Sequence, residues 1–254
     1  MLKKRIIPIL LLKDDRLWKT SQFNSARDVG YPTTAVRVYE SQQADELIII
    51  DITGDESSFL RLVKWIHTLS QEFCAPLTIG GGIRNFTQVQ KLFDNGADKI
   101  LLNSINYTDL TVLDKTASVY GVQAAVVGID AKRNSPNDEY QLYSNNGKEA
   151  QTISLSDHIK KCDQSGAGEF FVQSIELDGK MEGLDLELGQ QASAVTQRPV
   201  ILAGGAGSYS HFEEAFNKTN ICGIGCGSIF HFTDSNPLRA NAYLLNAGID
   251  IKKV

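Results

Sequence analysis

Two carboxylates stand at the ends of apolar runs, where a parallel sheet would bring them to one face. Asp51 follows the run "LIII", and Asp130 ends "VVGID". A carboxylate at such a strand end can act as a general acid or base if its surroundings raise its pKa. The alternative is that it caps a loop. Lys19, in the polar segment after the first run, either reaches back over a substrate or lies in solvent.

Two glycine turns follow other apolar runs, Gly81-Gly82 in "TIGGGIRN" and Gly204-Gly205 in "LAGGAGS". Glycines at a strand-to-helix turn let backbone N–H groups approach an anion, and the helix N-terminus that follows favours negative charge. A small hydroxyl residue ends the next run in each case, Ser104 and Ser228. We therefore predict two phosphate sites on opposite sides of one mouth, suited to a substrate with phosphate at both ends.

Charged residues stand at the opposite ends of four runs, and they are Arg5, Glu46, Lys99 and Glu169. Two positive and two negative side chains at the bottom of a barrel would form a closed ring of ion pairs. Because charged residues often precede strands, their spacing alone predicts a stabilising role and nothing more.

Alternating strands and helices would position these residues. Eight apolar runs alternate with amphipathic segments, and they are 6–12, 47–52, 77–80, 100–103, 124–130, 170–175, 200–203 and 221–228. This pattern is typical of a parallel sheet covered by helices, and eight repeats predict an α/β fold, a single (β/α)₈ TIM barrel over residues 1–254. Matched motifs in the two halves predict a half-barrel duplication with phosphate sites at the C-terminal face. The polar segments 13–32 and 131–152 are long enough to be lids.

Composition narrows the class of protein. A net charge of -5 argues against nucleic-acid binding. No apolar stretch approaches the roughly 18 residues of a membrane span, and no signal peptide is evident, so we expect a cytoplasmic protein. The cysteines lie in apolar context and are expected to be buried free thiols: Cys74, Cys162, Cys222 and Cys226. The four histidines share no ligand spacing, and neither a metal nor a cofactor is expected.

Taken together, "KRIIPIL", "ADELIIIDIT", "IGGGIRN", "GADKILLNS", "VVGID", "LDG", "GGAGS" and "SIFH" resemble the cyclase subunits of imidazole glycerol phosphate synthase over essentially the whole chain. The resemblance implies a barrel paired with a glutaminase subunit at its lower end, whose ammonia passes through the barrel to an upper active site. It implies that the four charged residues gate this passage and that Asp98 lies where the glutaminase docks.

The resemblance also implies roles for residues at the upper end, where the substrate is a phosphorylated small molecule. Asp130 and Lys19 match catalytic positions, and Asp51 and Asp178 are predicted to contact substrate. The residues that match the two phosphate sites are Gly82, Asn103 and Ser104 for one, and Gly179, Gly205, Gly227 and Ser228 for the other.

The family's second catalytic aspartate should end the first strand, and its position here is Leu11. Leucine cannot transfer a proton, and losing one such group typically costs about 10²–10⁴ in rate. This combination resembles a diverged branch found with surface-polysaccharide genes, which implies delivery of ammonia to a separate sugar amidotransferase. Our hypothesis is ammonia conduction without ring closure. The alternatives are a genuine cyclase of histidine biosynthesis and a scaffold that only binds a glutaminase.

Overall fold

The computed structural model describes residues 3–134 and 139–251. The strands are β1 Arg5–Lys13, β2 Arg16–Ser21, β3 Asn24–Gly30, β4 Leu47–Asp51, β5 Leu77–Gly80, β6 Lys99–Leu102, β7 Ala125–Asn134, β8 Glu139–Ser144, β9 Glu149–Gln151, β10 Glu169–Ser174, β11 Val200–Ala203 and β12 Gly223–Cys226. The helices are α1 Pro32–Ser41, α2 Glu56–Leu69, α3 Phe86–Asp94, α4 Thr111–Tyr120, α5 Leu155–Gln164, α6 Leu186–Val195, α7 Tyr209–Lys218, α8 Ser228–Phe232 and α9 Pro237–Asn246. Short 3₁₀ turns cover Ser104–Tyr107 and Val122–Ala124.

Eight of the strands close into a parallel barrel. Their order around the ring is β1, β4, β5, β6, β7, β10, β11 and β12, and the last pairs with β1 again. Helices connect successive barrel strands. The predicted (β/α)₈ TIM barrel is therefore confirmed, and each predicted apolar run supplies one barrel strand.

Strand alternation separates the barrel interior from the layer that packs against the helices. In β1, Ile7 and Ile9 face inward, whereas Ile6, Leu10 and Leu12 belong to the outer core. The inward-facing side chains form one buried cluster, whose members are Ile7, Ile9, Ile48, Leu101, Val126, Phe171, Ile201 and Ala203. The interior between the two ends of the barrel is thus apolar among these residues, with Leu11 and Ile50 packed against its top.

Helix caps fix where the strand-to-helix turns end. The Asp55 carboxylate accepts the Ser58 N–H at 2.7 Å and begins α2, and the Asn85 side chain accepts the Gln88 N–H at 3.0 Å and begins α3. These side chains satisfy backbone donors that have no partner inside the helix. α3 ends at Asp94, directly before Asn95-Gly96.

The two segments predicted as long loops are β-hairpins. β1 turns at Asp14-Asp15 into β2, which pairs antiparallel with it, and β3 then pairs antiparallel with β2. In the same way, β7 pairs antiparallel with β8, and β8 pairs antiparallel with β9. Both hairpins rise from the C-terminal ends of barrel strands, which we call the upper face. Residues 135–138, within the second predicted loop, lie outside the described residues.

The cysteine prediction is correct for Cys162 and Cys226, which are buried, and wrong for the other two. Cys74 is exposed in the turn after α2, and Cys222 is half-buried just before β12, because both lie in connecting segments at the lower face. All four are free thiols. Within residues 3–134 and 139–251, every helix is too short or too polar to span a membrane.

Candidate functional site

A cavity opens at the upper face and is lined by seven of the predicted site residues. Apolar side chains from β1, including Leu11, form one wall. The other residues in its lining are Lys19, Gln173, Asp178, Gly179, Gly204, Gly205, Ala206, Gly225, Cys226, Gly227 and Ser228. The upper ends of four barrel strands, β1, β10, β11 and β12, thus meet at one place, as expected when parallel strands end at the same face.

Asp130 ends the inward-facing column of β7 and is buried. One carboxylate oxygen accepts a hydrogen bond from Asn103 Nδ2 at 2.8 Å. Burial raises the pKa of the Asp130 carboxyl to about 7, the hydrogen bond from Asn103 lowers it, and the nearby charge of Asp178 raises it. Burial dominates because it penalises the charged form. Asp130 can therefore take up or release a proton near neutral pH.

Asp178 holds the first hairpin against the barrel. Its carboxylate receives Lys19 Nζ at 2.8 Å, Thr20 Oγ1 at 2.9 Å and the Phe23 N–H at 3.4 Å. Lys19 and Asp178 are both buried. Lys19 is therefore not the solvated lysine of the alternative prediction; it reaches into the cavity and is neutralised there.

The second predicted phosphate site lies in this cavity. The aliphatic stem of Lys19 runs past Gly227, where a Cβ would lie 3.1 Å from Lys19 Cε. Ser228 begins α8, and its Oγ is buried without a hydrogen-bond partner among the described residues. A buried hydroxyl without a partner costs free energy, so this atom is available to a ligand.

The second hairpin contacts Ser104 of the first predicted phosphate site. Ser104 Oγ accepts the N–H of Asn145, in the turn between β8 and β9, at 3.0 Å. The next residue, Asn146, donates from Nδ2 to the carbonyl of Ile52 at 2.9 Å. This turn also meets the first hairpin, because Gly147 lies against the ring of Phe23. The two hairpins therefore touch across the mouth of the barrel.

The two glycine turns have the same local geometry. A Cβ on Gly81 would lie 2.1 Å from the carbonyl oxygen of Asp51, and one on Gly204 would lie 2.5 Å from that of Ser174. Both glycines have positive φ, 105° and 93°. Only glycine fits a turn that combines positive φ with such an approach. The likeness accords with the predicted duplication of half-barrels.

Asp51 is not part of the upper cavity. In β4, Ile48 and Ile50 face the barrel interior, so Asp51 lies on the opposite side of the strand. It is buried, and its Oδ1 accepts the Thr53 N–H at 2.7 Å. This contact matches the alternative that the carboxylate caps a loop. Within the described residues no three His, Cys, Asp or Glu side chains come together, so they offer no candidate metal centre.

Leu11 faces inward at the top of β1, paired with Ile50 of β4 and Trp18 of β2. The two nearest acidic residues in sequence do not replace a carboxylate at its position. Asp14 forms an ion pair with Arg61, and Asp15 accepts a hydrogen bond from Trp65 Nε1 at 2.8 Å. Both therefore point to the outer surface of α2.

At the lower face the four charged residues form a closed ring of ion pairs. Arg5 binds Glu46 at 2.7 Å and also contacts Glu169, while Lys99 binds both carboxylates at 3.0 Å. Thr78 Oγ1 donates a further hydrogen bond to Glu46 at 2.7 Å. Although burial lowers it, the carboxylates of Glu169 and Glu46 raise the pKa of Arg5 above its ordinary value. The ring covers the bottom of the apolar interior.

Asp98 is exposed beside the ring, and one of its oxygens accepts the Leu77 N–H at 2.8 Å.

Sequence reasoning missed Gln173, which lines the cavity next to Asp130, because a glutamine in an apolar run carries no motif. It also missed the pairing of Lys19 with Asp178, since the two residues are 159 positions apart.

Comparison with known proteins places the chain in a family. The profile of the "Histidine biosynthesis protein" family matches residues 5–236. The chain is 36% identical over 252 residues to imidazole glycerol phosphate synthase subunit HisF of Hydrogenobaculum sp. strain Y04AAS1, covering 99% of this chain and 100% of the relative. It is 34% identical over 252 residues to the HisF subunit of Staphylococcus carnosus strain TM300, covering 99% of each. A putative HisF2 subunit from Prochlorococcus marinus strain MIT 9313 is 35% identical over 260 residues, again covering 99% of each. The chain therefore belongs to the histidine biosynthesis protein family, with the HisF subunits of imidazole glycerol phosphate synthase among its relatives.

Proposed function

We propose that the chain is the synthase subunit of a glutamine amidotransferase of the imidazole glycerol phosphate synthase type, and that its barrel conducts ammonia. The observation that carries this proposal is the closed ring of Arg5, Glu46, Lys99 and Glu169 beneath an apolar interior. Burying four charges is expensive, and apolar residues of similar size would serve stability as well or better. A function at the lower end therefore accounts for the ring better than stability does.

The apolar interior supports conduction of a neutral molecule. An ion that entered the layer of Ile7, Ile48, Val126 and Phe171 would lose its water without gaining a partner. Neutral ammonia also loses hydrogen bonds to water, but its penalty is much smaller because it carries no charge. A glutaminase docked at the lower face, where Asp98 and the ring are accessible, would supply it. This is the partner that the family resemblance implies.

At the upper face, we propose that ring closure is lost and that ammonia serves another acceptor. Leu11 stands where the family resemblance places a catalytic aspartate, and Asp14 and Asp15 are held elsewhere. The proposed acceptor is a surface-polysaccharide sugar that receives an amidino group through a separate amidotransferase. The alternative, a genuine cyclase in histidine biosynthesis, is favoured by Asp130, whose pKa lies near neutrality, and by the two glycine turns.

Ring closure with ammonium chloride as the nitrogen source tests this choice without a glutaminase. The HisF subunit of Staphylococcus carnosus, assayed in parallel with the bis-phosphorylated ribonucleotide of the cyclases, provides the reference rate. We expect the chain to be slower by about 10²–10⁴ because one proton-transfer group is missing. Equal rates would refute the loss of ring closure and favour the histidine-pathway cyclase.

The Leu11→Asp variant tests whether the site lacks only the aspartate or whether another group has taken over its role. We expect it to raise ring closure, whereas Leu11→Asn, which has the same shape as the aspartate but no ionisable group, should not. The same variant makes conduction measurable in a complex with the glutaminase, because its product reports delivered nitrogen. An enzyme trap that removes ammonia from bulk solvent should leave glutamine-dependent product unchanged; abolition by the trap would refute conduction.

A further inference from the structure

Three side chains with unused hydrogen-bonding capacity meet at the upper end of the barrel interior. Asn103 follows β6, Asp130 lies in β7, and Gln173 lies in β10. Gln173 is the direct parallel-strand partner of Asp130, and Asn103 binds Asp130 from the other side. Gln173 also shares the inward parity of Glu169 and Phe171 and lines the upper cavity. The carboxyl group is thus flanked by two carboxamides.

The hydrogen bonds of this cluster leave acceptors unused. Asn103 donates from Nδ2 to Asp130 Oδ2 at 2.8 Å, which fixes the orientation of its amide. Asn103 Oδ1 is then buried without a partner. Within residues 3–134 and 139–251, neither Asp130 Oδ1 nor the amide of Gln173 takes part in a hydrogen bond. Of these groups only Asn103 Oδ1 is both buried and without a partner. Because an unsatisfied buried acceptor costs free energy, the cluster favours a ligand that donates hydrogen bonds.

The surroundings restrict that ligand to a small one. Directly below lies the apolar layer that includes Ile9, Leu101 and Phe171. Leu11 forms part of the cavity wall and offers neither charge nor hydrogen bond. The nearby cation, Lys19, is bound to Asp178 and so does not neutralise Asp130. A compact group with several N–H donors and no acceptor fits these walls.

We propose that Asn103, Asp130 and Gln173 form a binding site for ammonium at the upper end of the barrel. Ammonium carries four N–H donors, and the three side chains carry one carboxylate and two amide oxygens that can accept them. The inference deepens the proposed function, on which it rests for the source of the ammonia. It adds a place where the nitrogen is held before it reaches an acceptor.

The cluster can also exchange a proton with ammonia that arrives through the barrel. Neutral ammonia that arrives from the apolar layer takes the proton of the Asp130 carboxyl: an N–H bond forms, the O–H bond breaks, and an ammonium carboxylate pair results. Return of that proton regenerates the neutral nucleophile and the protonated acid. Both states are accessible because burial raises the pKa of Asp130 to about 7.

Nuclear magnetic resonance of the isolated chain tests the site with ammonium chloride as the probe. The side-chain amide signals of Asn103 and Gln173, assigned by their loss in Asn103→Leu and Gln173→Leu, should shift and saturate as ammonium is added at about pH 8, where Asp130 is mostly ionised. Tetramethylammonium chloride, which has the charge but no N–H donor, is the matched control and should cause no saturable shift. An equal response to both salts, or to neither, would overturn the proposal.

Two substitutions of Gln173 separate binding from a structural role. Gln173→Leu should weaken ammonium binding about tenfold through loss of one hydrogen bond to a charged ligand. Gln173→Glu should strengthen it, because it adds a negative charge. Gln190→Leu, on the exposed surface of α6, should change nothing. If both Gln173 variants changed affinity in the same direction, Gln173 would be only structural and the site would be refuted.

This experiment contains neither glutaminase nor acceptor, so it fails independently of the proposed function. Ammonium that binds to the cluster in a chain that delivers no glutamine nitrogen would refute conduction and leave the site standing. Trap-resistant delivery in a chain whose amide signals ignore ammonium would refute the site and leave conduction standing.

Discussion

Replacing Lys99 with methionine would unbalance the lower ring while keeping the length and apolar stem of the side chain. Lys99 Nζ lies 3.0 Å from both oxygens of Glu46 and 3.0 Å from Glu169. Its removal leaves two carboxylates that share Arg5. Their side chains are only 2% and 5% exposed, so water can replace little of the lost interaction.

We expect this substitution to lower the free energy of unfolding by about 3 kcal/mol. Removing one partner from a buried ion pair typically costs about 3–5 kcal/mol. The lower value applies because the Lys99 and Arg5 side chains are 16% and 17% exposed, and some solvent reaches the ring from the lower face. Urea unfolding followed by circular dichroism measures the change.

Lys91→Met, on the exposed face of α3, is the matched control and should cost less than about 0.5 kcal/mol. A double variant, Lys99→Met with Glu169→Gln, restores a neutral ring and should recover part of the loss, since neighbouring substitutions in one network are not additive. If Lys99→Met proved as stable as Lys91→Met, the four charges would not be energetically coupled. The prediction that they act together as a closed ring would then be refuted.

Three further outcomes test the upper face. Because its folded pKa is raised to about 7, Asp130 should contribute stability that is complete below about pH 4 and lost as pH rises through 7, at most about 4 kcal/mol; thermal melts of Asp130→Asn should lack this loss. Gly204→Ala should destabilise by more than about 2 kcal/mol because its Cβ would lie 2.5 Å from a carbonyl oxygen, whereas Gly248→Ala, with open space around it, should cost about 1 kcal/mol; equal melting temperatures for the two would contradict this. Asp178→Asn should speed hydrogen exchange across β2 and β3 by about tenfold through loss of its contact with Lys19, and unchanged exchange would show that the hairpin is held by other contacts.

The barrel and its lower ring could be predicted because both follow from strand periodicity. Eight apolar runs separated by helical stripes leave few alternatives to a closed parallel barrel. Once the strands are placed, Arg5, Glu46, Lys99 and Glu169 share the inward parity of their strands, so they must meet at one end. The strand positions predicted from the sequence are therefore sufficient to bring the four charged residues together.

The upper face was less predictable because its contacts are distant in sequence and one of its hairpin strands, β3, lacks an apolar face. Asn24–Gly30 is mostly exposed, so β3 shows no alternation of apolar and polar residues that could identify a strand. Lys19 and Asp178 meet only because β1 and β10 contribute to the same mouth. Whether Asp51 lies on the inner or the outer side of the barrel depends on the register of β4. An error of one residue in the predicted run would place it on the wrong side.

β1 connects the two ends of the site through a single register. Arg5 in the ring and Leu11 in the upper wall are six residues apart, so both face inward, and roughly 20 Å of strand separates them. Residues 5–8 pair with β12, and residues 9–12 pair with β4. Pro8 lies at this change of partner, and a slip that brought it to the position of Ile7 would turn its missing N–H toward β12 and cost a ladder hydrogen bond there. A slip would also turn Arg5 and Leu11 outward together. Pro8 therefore disfavours a shift in the register of β1, on which both the ring and the upper site depend.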